Sequence, residues 1–474
     1  MLISAWLCAA CAFDNPKPTP PKLPAAFQQA APGEQAVWPG ADLLHSFGSD
    51  GLDALVARAE KNNFDIGAAA ARVQQADARA RQAGAAVLPS VDANASATQF
   101  TGRSGGTSGH ELDWSALLSA SYELDFWGKN RAAARSAKAL ASVSRDELAT
   151  VRITTLIGLA NMYFQLQSLR ERISLAQLNI DAAEKLLSVV EARYNGGSMN
   201  AAELAAQRAA VANARIPIAE LQQQELEAVD ALALLVGELP EGFEVPTQPL
   251  EDIKEPTLAA GLPSELLQRR PDVMSAEDNL VAAHADLAVA RAALFPQMTL
   301  TLAGGVQNPA IQAGVLTLAG TGPALNLSGA LVQSIFDSGR RRAAIEQARG
   351  REVELLASYH SAVVSAFIDV ENALGQRQHF EAQRQSQQDN VVQSERAFAA
   401  AQLRYREGSG QFVAVLEAQR SLYAAREQNG RYRLSRLQAL LGLAKALGGG
   451  WQQPNSEATH DPDVAQVEVR SQHD

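Results

Sequence analysis

The sequence predicts a mainly helical chain built from two similar halves, each with one β-hairpin and one pair of long helices. Three observations predict this fold class. Landmark motifs recur about 207 to 212 positions apart, which indicates internal duplication. A seven-residue apolar repeat runs along the first long helix, as in a coiled coil. Alternating apolar and polar residues precede the long helix of each half, as in strands with one polar face.

The composition of the 474-residue chain excludes several classes of protein. Its formal charge of −11 gives no reason to expect a nucleic acid partner. Apolar residues make up 47% but aromatic residues only 5%, which suits close-packed helices with thin cores. No apolar run after the first dozen residues approaches the roughly 20 needed for a membrane-spanning helix. If the chain crosses a membrane, it must therefore do so with β-strands.

The N-terminus carries the only two cysteines, Cys8 and Cys11, so a disulfide framework is excluded. The apolar segment 2–10 ends in small residues before Cys11, which resembles the end of a bacterial lipoprotein signal and predicts lipidation of Cys11. The segment lacks a basic residue, and Cys8 stands where leucine is usual. A wrongly assigned start codon would explain the missing basic region. The alternative is an apolar N-terminus without function.

The first long helix is the clearest local prediction. From Gly128 to Asn195 there is no proline, and a return helix over 201–236 is expected to run antiparallel and to bend at Pro217. A helix of this length spans roughly 100 Å. Two apolar stripes with seven-residue spacing form its seam. The stripes are Leu159, Leu166, Ile173, Ile180, Leu187 and Tyr194, and Met162, Leu169, Ala176, Ala183 and Val190.

The second long helix differs because 376–390 is polar on nearly every face. A helix that is polar all round is exposed on more than one side. The wall of a water-filled helical tube requires such exposure, and an ordinary surface helix also allows it.

Four alternating segments of about ten residues match membrane β-strands with a wet lumen or half-buried soluble strands. They centre on Val91–Ala97, Trp114–Phe126, Met298–Leu302 and Leu325–Ile335, with glycine-rich connections expected over 102–109 and 304–322. Four strands cannot close a barrel, and open edges are not tolerated in lipid. Two copies would supply eight strands and three copies twelve. Because eight-stranded barrels are filled by side chains, a conduit favours three.

Several ordered segments of the chain resemble the outer-membrane factor family, the TolC/OprM-type efflux channels, and in particular its NodT-type lipoprotein branch. The resemblance covers roughly residues 11–450. It is carried by Ser121–Arg131, Leu262–Asp272, Ala290–Pro296, Ile335–Arg340 and the turns at Arg193-Tyr194 and Arg404-Tyr405. It implies a TolC-like protomer, in which three copies share a 12-stranded barrel above a long α-helical coiled-coil barrel.

The resemblance also implies a function and its partners. Members are passive homotrimeric conduits in the outer membrane that hold no cofactor. They receive substrate from an inner-membrane pump through a periplasmic adaptor, and this branch carries an N-terminal lipid, here at Cys11. The residues themselves show no nucleophile–base pair and no metal-ligand spacing among the seven histidines, so neither an enzyme nor a metal site is predicted.

The predicted functional site is the tip where the long helices turn back. Val413 and Glu417 are four residues apart, hence on one helix face, and the resemblance implies that they narrow the pore as a gate. Ala414 stands where some relatives have a second acid. Arg404, Tyr405 and Arg406 are expected to hold the closed tip through hydrogen bonds or ion pairs, or else to be ordinary surface residues. The expected adaptor-docking tips are Asn195, Gly196, Gly197, Gly408, Ser409 and Gly410.

The domain boundaries combine these elements with the resemblance. The predicted segments are 1–10, a partial signal peptide; 11–50, a lipidated extended segment; 51–88, helices of the first repeat; 89–127, the first outer-membrane hairpin; 128–237, a long helix and its return helix; 238–263, a crossover linker; 264–295, helices of the second repeat; 296–337, the second hairpin; 338–450, a long helix and its return helix with the periplasmic tip; and 451–474, a disordered tail.

Three functions compete at this point. The leading prediction is the outer-membrane channel of a tripartite efflux system of the RND type. The exit duct of a type I protein-secretion system uses the same architecture. A periplasmic coiled-coil adaptor or scaffold is disfavoured because it has no use for four amphipathic strands placed symmetrically in both halves.

Overall fold

The computed structural model describes residues 19–30, 36–40, 42–104, 107–308 and 322–449. Cys11 and the segment 451–474 lie outside the described residues. The chain divides into two compact units. Within the described ranges, the first unit contains 70–146 and 274–362, and the second contains 21–69, 147–273 and 363–449.

The described residues form seven α-helices and four β-strands. The helices are α1 (Asp50–Asn62), α2 (Phe64–Ala85), α3 (Lys129–Asn195), α4 (Ala201–Val236), α5 (Pro271–Ala292), α6 (Arg340–Arg406) and α7 (Phe412–Ala446). The strands are β1 (Ser90–Ser104), β2 (Thr107–Glu123), β3 (Gln297–Asn308) and β4 (Gly322–Val332).

The internal duplication is visible in the lengths of the helices. Helices α2 and α5 each have 22 residues, and they begin 207 positions apart at Phe64 and Pro271. Helices α3 and α6 each have 67 residues and begin 211 positions apart at Lys129 and Arg340. The predicted mainly helical, duplicated fold class is therefore confirmed.

A local capping signal sets the start of α3. The Asp125 carboxylate accepts hydrogen bonds from the backbone N–H groups of Asn130 (3.1 Å) and Arg131 (2.9 Å), which have no partner inside the helix. Burial raises the pKa of Asp125, but these hydrogen bonds outweigh it and hold the pKa below its usual range. Along the helix, the heptad residues Leu166, Leu169 and Val190 are buried, as the coiled-coil repeat predicts.

The four strands form one antiparallel sheet in the order β1-β2-β3-β4. Strands β2 and β3 pair over ten residues, from Trp114 opposite Asn308 to Glu123 opposite Thr299, so the hairpins of the two halves share one sheet. Strands β1 and β4 are its two edges. On β4, Leu325, Leu327 and Leu331 alternate on one face and all are exposed, Leu325 by 81%.

Strands β1, β2 and β3 are longer than the sequence predicts, because glycines expected in the connections lie inside them, whereas β4 has the expected length but ends at Val332, before Ile335. Gly102 pairs with Gly109, and β3 continues through Gly304 and Gly305 to Asn308. A Cβ atom at Gly305 would lie 2.2 Å from the carbonyl oxygen of Ala116 on β2. The glycine therefore permits close strand approach and does not mark a turn.

The second unit has a hydrophobic core around Tyr163 and Phe164, both fully buried. The Tyr163 hydroxyl lies 3.0 Å from the Ser49 hydroxyl, which also caps α1. In the same unit the buried Arg270 donates to Asp272 (2.6 Å) and to Asp369 on α6 (3.0 Å). This ion network fixes the start of α5 against α6.

Helix α6 contains an 18-residue stretch with a mean hydropathy of 1.3, long and apolar enough to cross a membrane by composition. Only 22% of that stretch is buried. Among the described helices, this stretch of α6 is the one exception to the sequence prediction that no apolar run approaches spanning length.

Candidate functional site

The turn after α3 ends the helix through a pair of backbone hydrogen bonds. The N–H of Ser198 donates to the carbonyl of Arg193 (3.0 Å), and the N–H of Gly197 donates to that of Tyr194 (3.0 Å). Gly197 has a φ of +70°, a left-handed conformation that glycine adopts without steric cost. This is a Schellman motif, so the predicted tip glycine has a structural role in ending α3.

The turn after α6 repeats the same motif 211 positions later. Ser409 donates to the carbonyl of Arg404 (2.9 Å), and Gly408, at a φ of +76°, donates to that of Tyr405 (3.2 Å). Gly410 follows, and a Cβ atom there would lie 2.9 Å from the Cβ of Arg404 and 3.1 Å from the nitrogen of Tyr405. A side chain at this position would therefore displace the turn.

The predicted docking residues are mostly open to solvent. Asn195, Gly196 and Gly197 are exposed in the first turn, and so are Gly408 and Ser409 in the second. Helix α4 restarts after the first turn with a capping box, in which Asn200 and Glu203 bond each other's backbone N–H groups.

Tyr405 lies inside a hydrophobic cluster that joins the ends of four helices. Its side chain is 6% exposed, and its ring centre lies 5.4 Å from that of Phe412. The Arg193 guanidinium stacks over the Tyr405 ring at 4.5 Å, and the Tyr405 hydroxyl lies 3.9 Å from the Met199 sulfur. The buried members are Leu186, Val190, Leu204, Tyr405, Phe412, Val415 and Leu416. Tyr405 thus joins the two turns by packing and a cation–π contact.

Arg404 and Arg406 differ from Tyr405, because their side chains are exposed. In the part of the chain that the structure describes, neither guanidinium forms an ion pair. The Arg404 backbone carbonyl accepts hydrogen bonds at the helix end, and both guanidinium groups remain available to another molecule.

Val413 and Glu417 lie together on the exposed face of α7. Val413 is 55% exposed and Glu417 is exposed, whereas Phe412, Val415 and Leu416 are buried on the opposite face. No hydrogen bond or ion pair reaches the Glu417 carboxylate from the described residues. The structure therefore brings the two predicted gate residues onto one exposed face of α7.

The first half lacks this arrangement. The residues 211 positions before Val413 and Glu417 are Ala202 and Ala206, both exposed and uncharged. Sequence reasoning missed the contact between Arg193 and Tyr405, although the repeat of Arg193-Tyr194 as Arg404-Tyr405 was visible. Within the described residues, no group of three or more His, Cys, Asp or Glu side chains is placed to hold a metal ion.

Comparison with known proteins gives consistent matches along the chain. Residues 55–238 and 262–449 both match the model of the outer membrane efflux protein family. The pyoverdine export outer membrane protein OpmQ of Pseudomonas aeruginosa is 42% identical over 464 residues, which cover 95% of this chain and 96% of OpmQ. The cation efflux system protein CusC of Escherichia coli is 31% identical over 402 residues, 84% of this chain and 86% of CusC.

Among solved structures, the open state of the Neisseria gonorrhoeae MtrE outer membrane channel is similar to this chain. It superposes with a TM-score of 0.81 at 28% sequence identity, over 92% of this chain and 98% of MtrE. The two separate matches to one family model coincide with the two structural repeats.

Proposed function

The chain belongs to the outer membrane efflux protein family, and from this premise we propose that three copies form one passive conduit across the periplasm and outer membrane. The chain is an outer-membrane efflux channel subunit. In the proposed assembly, a periplasmic adaptor and an inner-membrane pump deliver substrate at the tip. The relationship to a pyoverdine exporter and to a cation efflux protein supports small molecules or ions, rather than secreted proteins, as cargo.

The observation that carries this proposal is the pair of unpaired sheet edges. The sheet has four strands, and its edges β1 and β4 have no neighbouring strand among the described residues. An open edge in lipid leaves backbone N–H and C=O groups unsatisfied, at several kcal/mol each. Pairing β4 of one copy with β1 of the next satisfies both edges, and three copies close twelve strands around a lumen.

Helix α6 provides independent support for neighbouring copies. Val353, Val364 and Ile368 lie on one helix face, and all three are exposed in the protomer. A helix that exposes an apolar face over such a stretch requires a partner there, and the coiled-coil seam of a second copy supplies one.

Aromatic residues at the ends of the strands support insertion into the outer membrane. Trp127 and Phe295 stack at 4.5 Å, and the Trp127 indole donates to the carbonyl of Pro296 (2.9 Å). Phe126, which precedes Trp127, and Phe336, which follows β4, are also exposed. Aromatic side chains of this kind favour the boundary between hydrocarbon and water.

The proposed gate is a ring of Val413 and Glu417 from three copies. Three carboxylates around a threefold axis repel one another and attract cations. The closed ring is therefore held together weakly, and docking at the turns opens it. The uncharged Ala202 and Ala206 at the equivalent first-half positions support a gate made by the second half alone.

Channel recordings test this function. Full-length purified protein in planar bilayers should form discrete conducting units that divalent cations block from the tip side. Val413→Ala with Glu417→Ala should raise the closed-state conductance several-fold and abolish the block. Glu220→Ala, which removes an exposed carboxylate from α4, is the matched control and should change neither. Absence of channels would contradict the conduit, and unchanged conductance in the double variant would contradict the gate.

We further propose that Cys11 carries a lipid anchor, supported by the small residues that precede it. The intact mass of membrane-extracted protein should exceed that of a chain beginning at Cys11 by the mass of the attached lipid, a diacylglyceryl group on sulfur with or without an acyl group on nitrogen. Cys11→Ser should remove this excess. An unmodified Cys11 would refute lipidation and leave the conduit proposal untouched.

A further inference from the structure

The contact between Arg193 and Tyr405 joins the two halves of one chain at the tip. The guanidinium carbon of Arg193 lies 4.5 Å from the centre of the Tyr405 ring, within cation–π range. The first half supplies the cation and the second half supplies the ring.

The sequence repeat supplies the same two groups a second time. Arg404 and Tyr194 lie 211 positions from Arg193 and Tyr405, at matching places in the two Schellman turns. Arg404 is exposed, and Tyr194 is 41% exposed. In the described part of the chain, neither side chain has an aromatic, cation–π or ion-pair partner. Each protomer thus has one arginine and tyrosine in cation–π contact, and a second arginine and tyrosine that make no such contact among the described residues.

We propose that Arg404 of one protomer stacks over Tyr194 of the next, so that one kind of contact closes every junction of the tip, alternately within and between chains. This inference rests on the proposed trimer. Each half then offers its arginine to one neighbour and its tyrosine to the other. Such a head-to-tail contact is heterologous, and it forms a closed ring when the rotation between subunits permits.

The packing around the two kinds of junction is unequal. Five of the bulky residues that line the junction within the chain have small counterparts 211 positions away, whereas Leu187 and Leu204 have the bulky counterparts Phe398 and Val415. The five are Leu186, Val190, Met199, Phe412 and Leu416. Their counterparts, in the same order, are Ala397, Ala401, Gly410, Ala201 and Ala205. In the proposed junction between chains, the five small counterparts supply less apolar surface, so the contact of Arg404 with Tyr194 contributes a larger share of what holds that junction.

Cysteine cross-linking tests the placement in the full-length protein. Tyr194→Cys combined with Arg404→Cys, treated with a short bifunctional thiol reagent, should give covalent dimers and trimers on denaturing gels. The matched control pair, Arg193→Cys with Tyr405→Cys, should cross-link within one chain and migrate as a monomer. Each single variant measures the background from Cys8 and Cys11. An intrachain product from the first pair would overturn the inference.

The mass of the protein in detergent separates this inference from the function on which it rests. A monomer would refute the proposed conduit. A trimer whose Tyr194→Cys and Arg404→Cys pair gives no interchain product would refute only the contact proposed between chains.

Bilayer conductance tests what the contact does. Arg404→Ala and Tyr194→Ala should each raise the closed-state conductance several-fold, and the double variant should raise it no further. Tyr194→Phe keeps the ring face and should stay close to the unsubstituted protein. Additive effects of the two alanine variants, or loss of closure in Tyr194→Phe, would contradict a cation–π contact.

Discussion

Asp146 is a carboxyl group buried on α3 in the first unit. It is 6% exposed, and burial, with a smaller contribution from the negative charge of Asp278, raises its pKa to about 7. Burial also raises the pKa of Asp278 to about 6. A carboxyl with a raised pKa in the folded state favours folding only while protonated. Its stabilising contribution is fully present below about pH 4 and is lost as the pH rises through about 7.

Asp146→Asn should therefore stabilise the protein at alkaline pH. The amide keeps the shape without a buried charge, so we expect a higher melting temperature at pH 8, corresponding to about 1 to 3 kcal/mol. At pH 4 the two proteins should melt together. Circular dichroism melts in detergent between pH 4 and 9 measure this, with the exposed Asp389→Asn as control. Equal melting temperatures at pH 8 would contradict the assignment.

Tyr194 and Tyr405 show how far sequence reasoning reaches at the scale of a residue. The repeat identifies both as landmarks, but only Tyr405 is buried. Its burial depends on Met199 and Arg193, which are about 200 positions away in sequence. A contact of that range leaves no local pattern, so the sequence could place Tyr405 at the tip but could not predict its environment.

At the scale of an element, the two glycines of the turn after α3 have different roles. Gly197 needs its left-handed conformation, whereas a Cβ atom at Gly196 meets nothing closer than the Ala192 carbonyl at 3.4 Å. A side chain at Gly196 therefore changes the exposed surface, and a side chain at Gly197 strains the backbone.

Gly196→Trp should weaken capture of the adaptor several-fold in a pull-down, with an unchanged melting temperature. Gly197→Ala should cost about 1 to 2 kcal/mol of stability. Gly242→Ala is the matched control, because Gly242 also has a positive φ, of 77°, and has open space around it. It should cost similar stability and leave capture intact. Full capture by Gly196→Trp would show that the first turn does not dock.

Helix bounds were easier to predict than strand bounds, for a physical reason. Helix α4 begins at Ala201 and ends at Val236, as expected, because Asn200 caps its start and Gly237 its end through local bonds. The extent of β3 depends on its pairing with β2, in which Gly305 lies against Ala116. Strand length is decided by distant neighbours, so glycines inside the strands were mistaken for connections.

At the scale of the whole molecule, the two halves share their lengths but differ in their surfaces. The stretch 376–390 of α6 has no buried residue, as its polar composition predicts. The second half also carries Val413, Glu417 and Arg404, whose counterparts in the first half are Ala202, Ala206 and the stacked Arg193. The proposed ring of Val413 and Glu417 therefore belongs to the second half alone, although both halves share one architecture.

The pairing of β2 with β3 also affects the rate of assembly. Because the two hairpins are held in one sheet by one chain, they meet at a high effective concentration that does not depend on how much protein the membrane contains. A twelve-stranded ring made from single hairpins would need six separate bodies to collide in register. In the proposed trimer, the fused chain reduces that encounter to three bodies, so far fewer incomplete rings with exposed edges should accumulate while the ring forms.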